Sequence, residues 1–219
     1  MHIQQFKQII IAEAQALEPD LITWRRHFHQ YPELAYEEER TAQFVEAALH
    51  KMGYETQRTA GTGVIALLSG TEEGPTVALR ADMDALALEE KNTCSYRSQI
   101  PGKMHACGHD AHTACLLGAA QILKKFQSHL KGNVKLIFQP AEEGGAGARK
   151  VVQAGHLDDV TVIYGLHVWH ELPSGTIAIR KGPMLASADE FIITLTGKGG
   201  HAAASHQAID PTSVLVVIY

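Results

Sequence analysis

Gly102-Lys103-Met104-His105-Ala106-Cys107-Gly108-His109-Asp110-Ala111-His112-Thr113-Ala114-Cys115-Leu116-Leu117-Gly118-Ala119-Ala120 is the stretch around which the rest of the chain is read. Its first half gathers His105, Cys107, His109, Asp110 and His112, all able to bind a metal or move a proton. Its second half is small and apolar, and Ala111, Cys115, Gly118, Ala119 and Ile122 recur at helical spacing. Pro101-Gly102 and Gly108 punctuate the approach, and Asp110 is placed to cap open N–H groups, so a site loop feeding a helix is predicted. Cys107 and His109 stand two apart, and an extended backbone there points both side chains the same way. Thiolate and imidazole together suit a divalent transition metal. A buried small thiol among surface histidines explains this stretch equally well, and its neighbours must decide.

On the C-terminal side, Val134-Lys135-Leu136-Ile137-Phe138 reads as a continuous apolar strand ended by Pro140. It delivers Ala141-Glu142-Glu143-Gly144-Gly145-Ala146-Gly147-Ala148, which opens another helix. The glycines suggest a phosphate loop, but paired carboxylates repel a phosphate and no Gly-Lys-Ser/Thr is present. Paired acids leading off a strand instead suit a metal site, one carboxylate as ligand and its neighbour as base. Thr161 to Leu166 is the next predicted strand, with His167, Trp169 and His170 at its end. On the N-terminal side, strands are predicted at Tyr54–Arg58, Val64–Ser69 and Thr76–Ala81, the last ending in Arg80-Ala81-Asp82-Met83-Asp84. Strand–helix–strand order indicates an α/β layer fold, which places ligand chemistry at the carboxyl ends of its strands.

Farther out, apolar positions from Ile3 to Leu17 keep a helical period, and Pro19 is read as restarting a second helix through Trp24 and Phe28. A third helix is expected from about Glu37 to Met52, stopped by Gly53. Period and charge assign His27 and His29, within Arg25–Leu34, to a solvated face. Beyond His170, Pro173-Ser174-Gly175 is read as turning into a strand through Arg180, and Asp189–Thr196 alternates like an edge strand. Gly197-Lys198-Gly199-Gly200-His201 follows, and a helix is expected after Asp210-Pro211. A domain boundary is expected near Leu185, giving 1–185 and 186–219.

The 219 residues, 45% of them apolar, suffice for a substantial core. A formal net charge of −5 gives no basic footprint, so neither nucleic acid nor an anionic membrane is an expected partner. Met1 to Glu18 is amphipathic with mixed charges and reads as a helix, not a signal peptide. Three well-separated cysteines argue against a disulfide framework and for the reducing cytoplasm.

Asp82/Asp84, Glu142/Glu143 and His167 fall at successive strand ends, and Cys107/His109 lie on the loop between. A metal-centred hydrolytic site explains all four placements together. Its mixed ligands suit zinc, manganese, cobalt or nickel, with capacity for one or two ions, a pair lying about 3.5–4 Å apart. The motifs Arg26-His27-Phe28-His29-Gln30-Tyr31-Pro32-Glu33-Leu34, Leu79-Arg80-Ala81-Asp82-Met83-Asp84-Ala85-Leu86, Met104–His112, Gln139-Pro140-Ala141-Glu142-Glu143, Gly165-Leu166-His167-Val168-Trp169 and Gly199-Gly200-His201-Ala202 span nearly the whole chain. In these the chain resembles the metal-dependent N-acyl-amino-acid amidohydrolases, which include hippurate hydrolase, aminoacylases and the plant indoleacetyl-amino-acid hydrolases.

The resemblance implies a zinc-peptidase-like mixed sheet flanked by helices, followed by the start of a smaller α+β lid and dimerisation domain. It implies Cys107, His109, Glu143 and His167 as metal ligands and Glu142 as the base that deprotonates water and later protonates the leaving amine. Asp84 would orient a ligand from behind, and His201 would donate a hydrogen bond to the oxyanion or the substrate carboxylate. The implied reaction is hydrolysis of an N-acyl amino acid, with a homodimer formed through the lid. Ala87, His170 and Ser205 stand where such relatives usually carry proline. The family continues past the equivalent of Tyr219 to one more histidine ligand, so an N-terminal fragment with exposed apolar surface is expected, its turnover weak or lost. Two rivals are a cysteine hydrolase with Cys107 as nucleophile and a non-catalytic metal-binding module.

Overall fold

The computed structural model describes residues 3–187 and 191–218. The chain divides into two compact units, Met1–His170 and Glu171–Tyr219, fifteen residues before the boundary expected near Leu185.

The first unit begins with helix α1, Ile3–Gln30, which runs through Pro19 without the restart predicted there. A proline forfeits one backbone hydrogen bond, here the one to the carbonyl of Gln15. The apolar stripe that buries Leu17 and Phe28 holds the two halves in line. Helix α2, Glu39–Lys51, buries Thr41, Ala42, Val45 and Leu49 at helical spacing. It stops at Gly53, whose φ of +82° is the left-handed conformation that ends helices.

Five strands follow: β1 Thr56–Thr59, β2 Gly63–Ser69, β3 Glu72–Asp82, β4 Lys131–Gln139 and β5 Val160–Gly165. Their order in the sheet is β1-β2-β4-β3-β5. β1 and β2 join antiparallel, β2 meets β4 antiparallel, and β3 runs parallel to both β4 and β5. Helix α3, His109–Lys125, lies between β3 and β4 in the chain, and helix α4, Gly147–Gln153, lies between β4 and β5. The mixed α/β sheet is thus the class expected from the sequence. Asp82 stands in register with Gln139, and Arg80 with Gly165, so β3, β4 and β5 finish at one edge.

One sheet face, with Val64, Ala66, Leu68, Leu136 and Phe138, forms the main core with Phe28, Leu49 and Leu117 from the helices. The alternate residues Ile65, Ala78 and Ile137 pack with Val151 of α4. β5 is an edge strand whose Val162, Ile163 and Tyr164 are exposed.

In the second unit, the strand predicted through Arg180 is absent, and 191–196 is irregular where an edge strand was expected. Asp189 and Glu190 lie outside the described residues. Apolar alternation makes a strand only where a neighbour takes up its backbone groups. Among the described residues of this unit the single pairing is an isolated bridge, Lys198 with Ile209, and Ile177 and Ile192 are 89% and 85% exposed. Helix α5, Pro211–Ile218, is present as predicted; Asp210 caps it, accepting from the Thr212 N–H at 2.9 Å.

Candidate metal centre

The site is built on the edge where β3, β4 and β5 end. Gly108 turns the chain into α3 at φ +93°, and a Cβ there would lie 2.3 Å from Val168 Cγ2. Glycine is required at this position for conformation and for space. Asp110 does not cap α3, for which no side-chain cap forms. It turns inward instead, where Oδ2 accepts from Arg25 Nε at 2.8 Å and lies 2.8 Å from His29 Nδ1. His29 is therefore buried, not part of a solvated face, and its Nε2 meets Glu90 Oε1 at 3.2 Å. A charged pair across 81 residues is invisible to helical periodicity.

His109, 1% exposed, is the centre of the arrangement. Its Nδ1 donates to the Asp84 carbonyl at 2.8 Å, which leaves a lone pair on Nε2. That Nε2 is buried without a hydrogen-bond partner. Around it stand Asp82 Oδ2 at 3.5 Å, Glu142 Oε2 at 3.9 Å and Glu143 Oε1 at 3.9 Å. Burial opposes a charged ring, but Asp84, Asp82 and Glu142 raise the His109 pKa, so the position between the carboxylates favours a cation, a proton on Nε2 or a metal ion.

The turn carrying Glu142 and Glu143 is held from two sides. Glu38 Oε1 accepts from the Ala141 N–H at 2.8 Å while its other oxygen takes the Thr62 hydroxyl. Asp84 Oδ2 accepts from the Glu143 N–H at 2.9 Å. Asp84 thus stands behind both His109 and Glu143. Glu38, fully buried, was missed at the sequence level; a glutamate beginning a helix reads as ordinary N-terminal charge. Burial pushes its carboxyl upward.

Cys107 Sγ lies 3.4 Å from His167 Nε2, and His167 Nδ1 donates to the Val168 carbonyl at 2.6 Å. Burial, followed by the Glu143, Glu142 and Asp82 carboxylates, pushes the Cys107 thiol up to about 12. Burial and the adjacent Glu143 charge also raise the Glu142 carboxyl. Burial alone would raise Asp82, but the His112 hydrogen bond and Arg80 hold it down at about 2.

Among the described residues three candidate ligand groups share His109: Cys107, His109 and His167; His109, Glu142 and Glu143; and Asp82, His109 and His112, each with its donor atoms within 4.8 Å of one another. The residues fit a divalent metal, because thiol, imidazole and carboxylate donors converge on an unpartnered buried nitrogen. The structure therefore brings together Cys107, His109, Glu142, Glu143 and His167. His201 belongs to the second unit, where it is exposed and its Nδ1 accepts from the Ala203 N–H at 3.1 Å.

Residues 78–215 match the sequence profile of peptidase family M20/M25/M40. The chain belongs to peptidase family M20/M25/M40. Among similar M20/M25/M40 proteins is an N-acetyl-L-cysteine deacetylase of Bacillus subtilis, 50% identical over 196 residues that cover 89% of this chain and 47% of that protein. An N-acyl-L-amino acid amidohydrolase of Geobacillus stearothermophilus is 48% identical over 200 residues, 90% of this chain and 54% of that one. The crystal structure of the Bacillus subtilis YXEP protein, described as a dinuclear metal binding peptidase of family M20, superposes with a TM-score of 0.75 at 44% identity, over 77% of this chain and 48% of that one. The chain spans about half the length of the curated relatives it matches.

Proposed function

We propose that this chain carries the metal-binding part of a hydrolase that cleaves the amide bond of N-acyl amino acids, such as N-acetyl or N-benzoyl derivatives. The observation that carries the reading is the unpartnered His109 Nε2, enclosed by the carboxylates of Asp82, Glu142 and Glu143. Its relatives' names, a deacetylase of N-acetyl-L-cysteine and an amidohydrolase of N-acyl-L-amino acids, share that substrate class.

In this proposal Cys107, His109, Glu143 and His167 hold one or two divalent ions, and the donor set suits zinc, manganese, cobalt or nickel. A bound cation supplies a water pKa near about 7 and polarises the amide carbonyl. Glu142, partly open to solvent and with its proton affinity raised by burial and by Glu143, accepts a proton from the attacking water at a carboxylate oxygen. It returns that proton to the leaving amine. The Asp84 carbonyl fixes the His109 tautomer, while its carboxylate holds the Glu143 backbone. His201 serves the developing oxyanion or the substrate carboxylate in the complete enzyme.

The proposed domains are catalytic at 1–185 and the start of a lid, through which a homodimer forms, at 186–219. No helix among the described residues is long and apolar enough to cross a membrane. The free thiols Cys94, Cys107 and Cys115 support placement in the cytoplasm. A cysteine hydrolase is disfavoured because Glu143, Glu142 and Asp82 crowd Cys107 and oppose a free thiolate, whereas a bound divalent cation would offset their charge. Because the chain spans about half the length of its relatives, a second reading stands beside the first: a fragment that holds metal without turnover.

Elemental mass spectrometry of the purified chain, paired with hydrolysis of N-acetyl and N-benzoyl amino acids with and without chelator, tests both readings. Stoichiometric metal with chelator-sensitive hydrolysis supports the enzyme, and metal without hydrolysis supports the fragment. Activity that survives complete metal removal overturns both.

A further inference from the structure

His112 lies close enough to Asp82 and His109 for the three to form a third candidate metal-ligand group. Its bonding gives it another task. Nδ1 stands 2.6 Å from Asp82 Oδ1, an acceptor, so Nδ1 carries the proton. Nε2 accepts from the Val168 N–H at 2.9 Å, which occupies its one lone pair. Neither ring nitrogen is left for a metal.

Val168 is held through both of its backbone groups. Its N–H goes to His112 Nε2, while its carbonyl takes the His167 Nδ1 proton at 2.6 Å. Fixing the Val168 backbone fixes the His167 tautomer and presents Nε2 towards Cys107 Sγ at 3.4 Å. The two imidazoles meet edge to face, with centroids 4.9 Å apart. Behind His112 the connection continues through Asp82 to Arg80, whose Nη1 donates to Asp82 Oδ2 at 2.8 Å. Arg80 Nε in turn donates to Gln139 Oε1 at 2.9 Å. The ends of β3 and β4 and the first turn of α3 are thereby tied to the segment after β5. His112 and Asp82 are both buried, so no solvent group replaces a lost partner.

We propose that His112 is a positioning residue that sets His167 for metal binding through the Val168 backbone, and is not itself a ligand. This rests on the metal-site reading above for its consequence, but its bonding exists without metal. Two substitutions separate the ring's two bonds. In His112→Gln the amide oxygen falls near the Nε2 position and keeps an acceptor for Val168. In His112→Asn the amide falls near Nδ1, keeping Asp82 and losing Val168.

The test has two readouts on the purified 219-residue chain. In the metal-free protein, long-range proton–nitrogen NMR is expected to show His112 with its proton on Nδ1, and the Val168 amide to exchange slowly. That protection should persist in His112→Gln and vanish in His112→Asn. In a Co²⁺ titration, His112→Asn is expected to bind about 10–100-fold more weakly, the loss typical when a partner behind a ligand is removed, with His112→Gln closer to wild type. A proton on Nε2, or equal Val168 protection in the two variants, overturns the proposal. So does a metal-induced shift of the His112 ring nitrogens as large as that of His167, which would make His112 a ligand. A wild-type chain that takes up no Co²⁺ overturns the metal reading, while the NMR arm still decides the role of His112.

Discussion

Replacing Gly108 with alanine tests the geometry that joins the Cys107 loop to the His167 segment. At φ +93° an L-residue pays for left-handed backbone, about 1–2 kcal/mol. The new Cβ also meets Val168 Cγ2 at 2.3 Å, and such a contact forces the 167–168 segment to shift. Overpacking of this kind costs about 1–3 kcal/mol, so the two effects together destabilise by about 2–5 kcal/mol. Gly102→Ala is the matched control. Its φ is +70° with nothing within 4 Å of the added Cβ, so it carries the backbone cost alone. Urea unfolding of wild type and both variants, compared through the midpoint at constant slope, measures the difference. Because Val168 is displaced, Gly108→Ala should also weaken Co²⁺ binding, and Gly102→Ala should not. If Gly108→Ala proves no more destabilising than Gly102→Ala, the close approach of Gly108 to Val168 is wrong.

Leu117, fully buried where α3 faces the sheet, should cost about 2–5 kcal/mol on truncation to alanine; a urea midpoint within experimental error of wild type would contradict its place in the core. His29 has its pKa raised, chiefly by the hydrogen bond to Asp110, with the Glu90 bond adding and burial opposing. A raised folded value means that its stabilisation is complete below the unfolded value of 6.5 and is lost as pH rises through the folded one. The stability gap between wild type and His29→Gln should therefore narrow as pH rises above 6.5. A gap that stays constant or widens, in thermal melts of the metal-free chain, would show that the ion pair is not what holds His29.

The sequence determined what local pattern and order can carry. Apolar runs ended by acidic residues, by Pro140 and by His167 marked β3, β4 and β5, and a glycine ahead of a small-residue segment marked the start of α3. With those strands ending at one edge, Asp84, Cys107, His109, Glu142, Glu143 and His167 were readable as one cluster before any distance was known. Order along the chain suffices there because parallel strands deliver their carboxyl ends to the same side. Pro19 misled, since the rule that proline ends a helix weighs one lost backbone bond and not the tertiary packing of the whole α1 stripe. The strands expected beyond His170 misled for the converse reason. Alternation there is real, but among the described residues only one isolated bridge forms in that unit.

Tertiary structure alone decided which polar groups support the site. Glu38 reaches Ala141 across 103 residues, His29 reaches Asp110 across 81, and His112 reaches Val168 across 56. A hydrogen bond depends on where two atoms meet in space, and no periodicity of 2 or 3.6 residues encodes a partner so distant. The proposed ligands could be read from their chemistry and placement, whereas the residues that hold them in position became visible only when the chain had brought β3, α3 and the segment after β5 together.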